Sequence, residues 1–482
     1  MKHSKPFSLE LTDRVLRVTA FGVWTLVDAR EYVRQMRLLV QPVINNDWAC
    51  ILDARLWKMS PAEVFSLLRD NTLWCYQRNL MYAVTLLPDD KMLQWQFIKT
   101  TEMEKPEGFV SRLAEDDLAA CPAGTTEVNS LSGRLNCQLT GDITSNVTLA
   151  AGADYVLSGR VRIGVDNTTA ATLTVQPGVT IYGKSGADFL VITRGSKIDA
   201  NGTAANPIVM TSVQDVIGSP TAAGQWGGLV LLGKAPSNKC NQADLASCQV
   251  AAEGDAGNYG GNNPADSSGT LNYVVVKHAG FEVLPDNELN GITFAGVGSG
   301  TQCSNIQVHQ NVDDGIEMFG GSVSCKNVVL TANGDDSVDW ADGWNGKLQF
   351  VLVKHGADDS KSNRGIEADN QSGNFTAEPV SNPTIANMTI IGNNFDGDDD
   401  SEGVLLRAGT NAKLHNFVIT GPAGMGECLE LDTDETKAFA ISGELEFTNS
   451  VIACNEPTVG DLGNGTTTEQ WFLAQDGNSL AA

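Results

Sequence analysis

The sequence predicts a two-part chain: a small α/β domain over residues 1–120, then a right-handed parallel β-helix over 121–482. Three observations carry this reading. Residues 1–120 hold only two glycines, Gly22 and Gly108, but five of the nine Trp, while the remainder holds the other 47 Gly. Charge divides at the same place, with a net of −1 before residue 120 and −25 after it. Third, the second part repeats a short phrase, Asn or Gln before β-branched residues, starting at 272, 305, 327, 349, 387, 416 and 449. Repetition at such intervals marks a solenoid, because one unit cannot bury its apolar face without its neighbours.

Strand and helix patterns alternate through 1–120. "FSLELTDRVLRVTAFG" alternates apolar and polar residues and predicts two strands with a turn near Asp13. "LVDAREYVRQMRLLVQPVI" has helical spacing, with Val27, Tyr32, Val33, Met36 and Val40 on one face. "WACILDARLW" reads as a buried strand. The helix that follows opens on Ser60 as cap, Pro61 at its first position and Glu63 three on. "MYAVTLLP", "DDKMLQWQFIKTTEMEK" and "GFVSRL" add a strand, a helix and a last strand. Such alternation favours a sheet covered by helices.

Beyond residue 120 a second phrase lies between the repeats: "NGITFAG", "DGIEMFG", "DSVDWAD", "RGIEADN", "EGVLLRA" and "ECLELDT". Two or three short strands per turn, with insertions at fixed corners, describe coils stacked at about 4.8 Å. Cys303 and Cys325 each precede a repeat Asn, Asn305 and Asn327, by two residues. That register places them on adjacent coils within reach of a disulfide. The other near neighbours are Cys121/Cys137, Cys240/Cys248 and Cys428/Cys454. Eight Cys allow 105 connectivities, but this spacing favours four local bridges and an oxidising compartment. Cys50 and Cys75 sit in apolar surroundings, where free buried thiols are expected.

The acidic second part repels phosphate backbones and anionic lipid, so nucleic acid is excluded as a partner. No run approaches the roughly 18 apolar residues of a membrane helix. The start, "MKHSKPFSLELTDRV", lacks the apolar stretch of a signal peptide, which leaves 1–120 cytosolic in character.

The order of elements over about 1–117 resembles bacterial STAS/SpoIIAA-like domains. The resemblance implies an interaction or regulatory module, although the loop "DARLWKMSP" stands where the phosphoacceptor branch has Asp-Ser-Ser-Gly. In the second part, "GQWGGLVLLGKAP", "DSSGTLNYVVVKHAG", "PDNELNGITFAGVGSGT" and "DDGIEMFGG" resemble the β-helical outer-surface lipoproteins of Gram-negative bacteria, typified by a leptospiral lipoprotein. That resemblance spans nearly all of 121–475 and implies a pectin-lyase-like solenoid at the cell surface or secreted. It brings no catalytic residues.

Acidic residues are the remaining signal. Aligning the second phrase puts Thr293, Glu317, Asp339, Glu367, Leu405 and Glu430 in one column, opposite in parity to Ile316, Val338, Ile366 and Leu429. The acids therefore point out of the core, a row tolerated if solvated or if a cation sits between them. Corners add Asp313, Asp314, Asp335, Asp336, Asp358 and Asp359, then Asp396, Asp398, Asp399 and Asp400, and Asp369 follows the Glu367 strand. Asx turns explain such residues without a ligand. Calcium held between adjacent coils explains them equally, with Asp313, Asp314, Glu317, Asp335, Asp336, Asp339, Glu367, Asp369, Asp396, Asp398 and Asp400 as candidate ligands. "DGDDDSE" at 396–402 begins like a calcium loop, but Ser401 and Arg407 stand where an EF-hand needs Gly and Glu. A third reading is a calcium-dependent polysaccharide lyase or hydrolase using Arg364 or Arg407 as base and carboxylates about 5 Å apart. His278 and His355 lie three coils apart and His309 is offset, so they read as structural.

The leading reading is a non-enzymatic surface or secreted β-helix stabilised by calcium. A glycan or a surface protein is its expected partner. The alternatives are the polysaccharide-active enzyme and a cytosolic STAS-type regulator.

Overall fold

The computed structural model describes residues 5–87, 93, 105–106, 109–114, 121–131, 134–284, 287–357, 364–394 and 403–481. It divides into two compact units, 1–119 and 120–482.

The first unit is a five-stranded mixed sheet with strands in chain order. β1 (Phe7–Thr12) runs antiparallel to β2 (Val15–Gly22), with Asp13 at a positive φ of 53° in the turn. β3 (Trp48–Trp57), β4 (Leu80–Leu86) and β5 (Val110–Ala114) continue in parallel, linked by α1 (Leu26–Leu39) and α2 (Ala62–Tyr76). Thr25 and Asp28 form a reciprocal capping box at the start of α1. The helix buries Ala29, Tyr32, Val33 and Met36. Val27 is 75% exposed instead of joining them, because five positions place it about 140° round the helix from Tyr32.

Ser60 is not the cap of α2. That place falls to Pro61, and the Ser60 hydroxyl accepts from the Trp24 N–H at 3.0 Å and the Trp57 indole at 2.8 Å. It thereby fixes a stack of Trp24 on Trp57, with ring centroids 4.6 Å apart. Most of the expected helix over 89–105 lies outside the described residues.

The second unit is a parallel β-helix. Long strands form one face: Gly269–Lys277, Gln302–His309, Ser324–Thr331, Lys347–Lys354, Thr384–Ile391 and Lys413–Thr420, each parallel to the next. Short strands form another: Ile292–Ala295, Ile316–Phe319, Val338–Ala341, Ile366–Ala368, Val404–Leu406 and Leu429–Leu431. Inward residues stack by type, as in the buried column Val274, Ile306, Val328, Val351, Met388 and Phe417. Cys303 pairs with Cys325 in register, with Cα atoms 4.6 Å apart. Further disulfides join Cys121–Cys137, Cys240–Cys248 and Cys428–Cys454, and Cys50 and Cys75 are free.

One residue of each long strand bends the chain in a left-handed conformation. The column is Tyr273, Asn305, Asn327, Phe350, Asn387, Asn416 and Asn449, with φ between 47° and 60°. Asn suits this region because its side chain bonds locally. The amides also bond between coils: Asn327 donates to Asn305 at 3.0 Å and Asn416 to Asn387 at 2.6 Å. The register corrects the alignment of two phrases by one residue. Asn272 faces Ser304 and Gln349 faces Lys326, so the bend falls on Tyr273 and Phe350. Core packing of Val274 and Val351 sets the register, whichever residue stands at the bend.

Candidate functional site

The outward column of the short strands is confirmed residue for residue: Thr293, Glu317, Asp339, Glu367, Leu405 and Glu430 lie in register, and Val230 extends it by one coil. Thr293, Glu317 and Glu367 are buried and Asp339 and Glu430 half-buried; residues 250–259 and the paired strands 282–284 and 287–288 pack over the first coils of the sheet. They bury Phe189, Val191, Val230, Leu232, Leu289 and Phe319 in a second apolar layer. Glu317 is only 7% exposed and Glu367 9%. Parity fixes which face a side chain takes, but not whether another segment covers that face.

Three residues before four of the column positions, and two before the strands begin, stands a second column: Asn290, Asp314, Asp336 and Arg364. Backbone bonds from Gly291 to Asp314, Gly315 to Asp336 and Ser337 to Arg364 hold it in step. The two columns place carboxylates in the middle and donors at the ends. At one end the Asn290 amide donates to Glu317 at 2.6 Å. At the other, Arg364 donates to Glu367 at 2.5 Å and lies 3.7 Å from Asp336. Arg407 bonds Glu367 as well and Asp369 at 3.0 Å. Both arginines are thus engaged as counter-charges, which argues against either as a free base.

Between these ends the ligand atoms of Asp313, Asp314 and Asp335 lie within 4.8 Å of one another, as do those of Asp314, Glu317 and Asp339, and of Asp336, Asp339 and Glu367. Burial, reinforced by neighbouring carboxylates, raises Asp314, Glu317, Asp336 and Asp339 well above the ordinary range. Asp313 is pushed up to about 8 by burial and then by Asp335, Glu253 and Glu288. Buried oxygens remain without hydrogen-bond partners: Oδ1 of Asn290, Oδ1 of Asp336 and Oδ1 of Asp339. These clusters could hold a metal ion. Asp396, Asp398 and Asp400, with Asp358 and Asp359, lie outside the described residues.

The long-strand face is the reverse. None of its six strands carries Asp or Glu, while Lys326, Lys347 and Lys354 stand exposed on it. A groove of about 360 Å³ lies here, lined by Pro207, Tyr273, Asn305, Gln307, Asn327 and Phe350 among others. Its two aromatics are the two non-Asn members of the bend column between Tyr273 and Asn449. Phe350 is 46% exposed, with the Lys326 ammonium 5.2 Å from its ring centroid. Sequence reading missed this site, although an aromatic replacing the repeat Asn was the available signal. His278 meets His309 with ring centroids 6.1 Å apart, a contact that their sequence offset concealed. His355 is buried, and desolvation lowers it to about 4, as for a neutral structural imidazole.

A family model described as a pectate-lyase-like β-helix domain matches residues 141–478. The chain belongs to that family. No curated protein and no solved structure matches it. Four disulfides accord with an extracytoplasmic β-helix. No helix among the described residues is long and apolar enough to cross a membrane.

Proposed function

We propose that this pectate-lyase-like β-helix is a non-enzymatic surface or secreted protein that binds a glycan along its long-strand face and is stabilised by calcium. One observation carries the binding role: two aromatics, Tyr273 and Phe350, hold left-handed backbone positions in the same groove. A left-handed conformation costs an L residue other than Asn or Gly about 1–2 kcal/mol. Strain of this kind is kept where function uses the side chain. Exposed rings take the apolar faces of sugars, and the amides of Asn305, Gln307 and Asn327 suit hydroxyl groups. Lys326, Lys347 and Lys354, on strands that carry no carboxylate of their own, favour a uronate-bearing chain over a neutral one.

The buried clusters support calcium by donor type, all hard oxygens, with the free Asn290 oxygen as a further donor. Their burial beneath the cover also favours binding over hydrolysis, since a polymer does not reach Glu317. The first unit, with its STAS-like element order, serves as an interaction module.

Calorimetric titration with uronate and neutral hexasaccharides tests the binding role. Wild type should bind the uronate chain, and Phe350→Asn should weaken it at least tenfold, about 1.4 kcal/mol. Equal binding of the uronate by wild type and F350N, with the fold intact, would refute the assignment of this groove.

A further inference from the structure

We infer that Arg364 is a built-in cation: its guanidinium fills one of the two acidic groups that share Asp339, and the divalent ion takes the other, among Asp314, Glu317 and Asp339. The inference rests on the calcium reading and places the ion within it.

Asp339 belongs to two sets of close oxygens, one with Asp314 and Glu317, the other with Asp336 and Glu367. The register sets Glu317, Asp339 and Glu367 on successive coils, about 4.8 Å apart. Both sets are all-carboxylate, and they differ in what closes them. The Ser337 N–H bonds the Arg364 carbonyl at 2.9 Å, which holds Arg364 one coil from Asp336. From there Nη1 of Arg364 lies 2.5 Å from Oε2 of Glu367 and 3.7 Å from Oδ2 of Asp336, and the side chain is 6% exposed. Calcium sits about 2.3–2.6 Å from its oxygens, so an ion held by these two would contend for the place of that nitrogen. Oε1, the second oxygen of Glu367, is taken by Arg407. Guanidinium charge thus stands where this set would otherwise hold an ion.

The other set has no such charge. Among the described residues no arginine or lysine forms an ion pair with Asp314, Glu317 or Asp339. Its end is closed by Asn290, a neutral amide in the column that Arg364 joins three coils on. Asn290 is 1% exposed and its Nδ2 donates to Glu317 at 2.6 Å, yet Oδ1 of the same amide has no hydrogen-bond partner. The buried Oδ1 of Asp339 has none either. Buried acceptors are nearly always partnered, and two left bare beside grouped carboxylates point to a cation. Carboxylate and amide oxygens are the donors that calcium takes.

The test uses the full chain with calcium as the probe, counted per chain by equilibrium dialysis. Arg364→Gln puts at this end the kind of amide that Asn290 supplies at the other, and it should bind one calcium more than wild type. Arg364→Met combined with Glu367→Met removes the ion pair without changing net charge. It should keep the wild-type number of ions, with affinity within about threefold. No calcium on wild type defeats the calcium reading and the placement together. Calcium on wild type, with no added ion on folded R364Q or with the ion lost from R364M/E367M, overturns the placement alone. The double variant decides the matter even if R364Q does not fold.

Discussion

Adding calcium to chelator-stripped protein at pH 7 should release protons and raise the melting temperature together. The ligand atoms of Asp314, Glu317 and Asp339 lie within 4.8 Å of one another. At an effective dielectric of 20, each ionised pair costs about 3 kcal/mol, or on the order of 10 kcal/mol for the triad. Protonating a carboxyl of ordinary pKa at pH 7 costs about 4 kcal/mol. The ion-free triad therefore keeps at least one proton, which a divalent cation displaces. Free calcium at a hundred times its Kd adds about 2.7 kcal/mol. Unfolding entropy of about 2 cal/mol/K per residue over a 120–482 unit makes that a rise of 3–4 °C.

The pH dependence has a definite sign. Carboxyls raised by burial contribute stability below their ordinary pKa near 3.8 and lose it as pH climbs through the raised values, about 8 for Asp313. With EDTA the melting temperature should fall from pH 5 to pH 8, and saturating calcium should flatten the fall. Scanning calorimetry at both pH values, with titrations in two buffers of different ionisation enthalpy, measures both effects. No proton release, and melting temperatures indifferent to calcium at both pH values, would refute the reasoning.

Removing the Cys303–Cys325 bridge by a double Ser substitution should cost about 3 kcal/mol, from its separation of 22 residues, and lower the melting temperature by 4–5 °C. An unchanged melting curve would mean the bridge does not constrain the unfolded chain. Arg364 is 5% exposed, and Arg364→Met should destabilise by about 3 kcal/mol by leaving Glu367 and Asp336 less compensated. The double variant R364M/E367M should lose less than R364M, as denaturant melts would reveal. Phe350→Asn should stabilise by about 1 kcal/mol, through relief of the left-handed strain and amide bonds to Asn327 and Asn387, even as it weakens binding. Destabilisation on that change would show that the ring packs rather than waits for a ligand.

Much of the second unit was legible because a β-helix is built from nearest neighbours. The spacing that set Cys303 beside Cys325, and Glu317 beside Asp339 and Glu367, is a one-dimensional register, and a chain repeating it shows it directly. Local signals were weaker where tertiary contacts competed. Ser60 has the sequence of a cap, but two tryptophans claim its hydroxyl. Asn272 looked like the repeat Asn, but Val274 set the register and left Tyr273 at the bend.

The sequence by itself determined the two-part division, the stacked coils and the parity that sends the acids away from the core, since each follows from composition or a period of two. Only the tertiary structure decided that Asp314, Glu317, Asp336 and Glu367 on this face are buried. The segment that covers it lies some 60 residues before Glu317, and no period links the two. Burial converts a row of surface carboxylates into a cluster that needs a proton or a cation, because desolvation penalises charge far more than adjacency in water does.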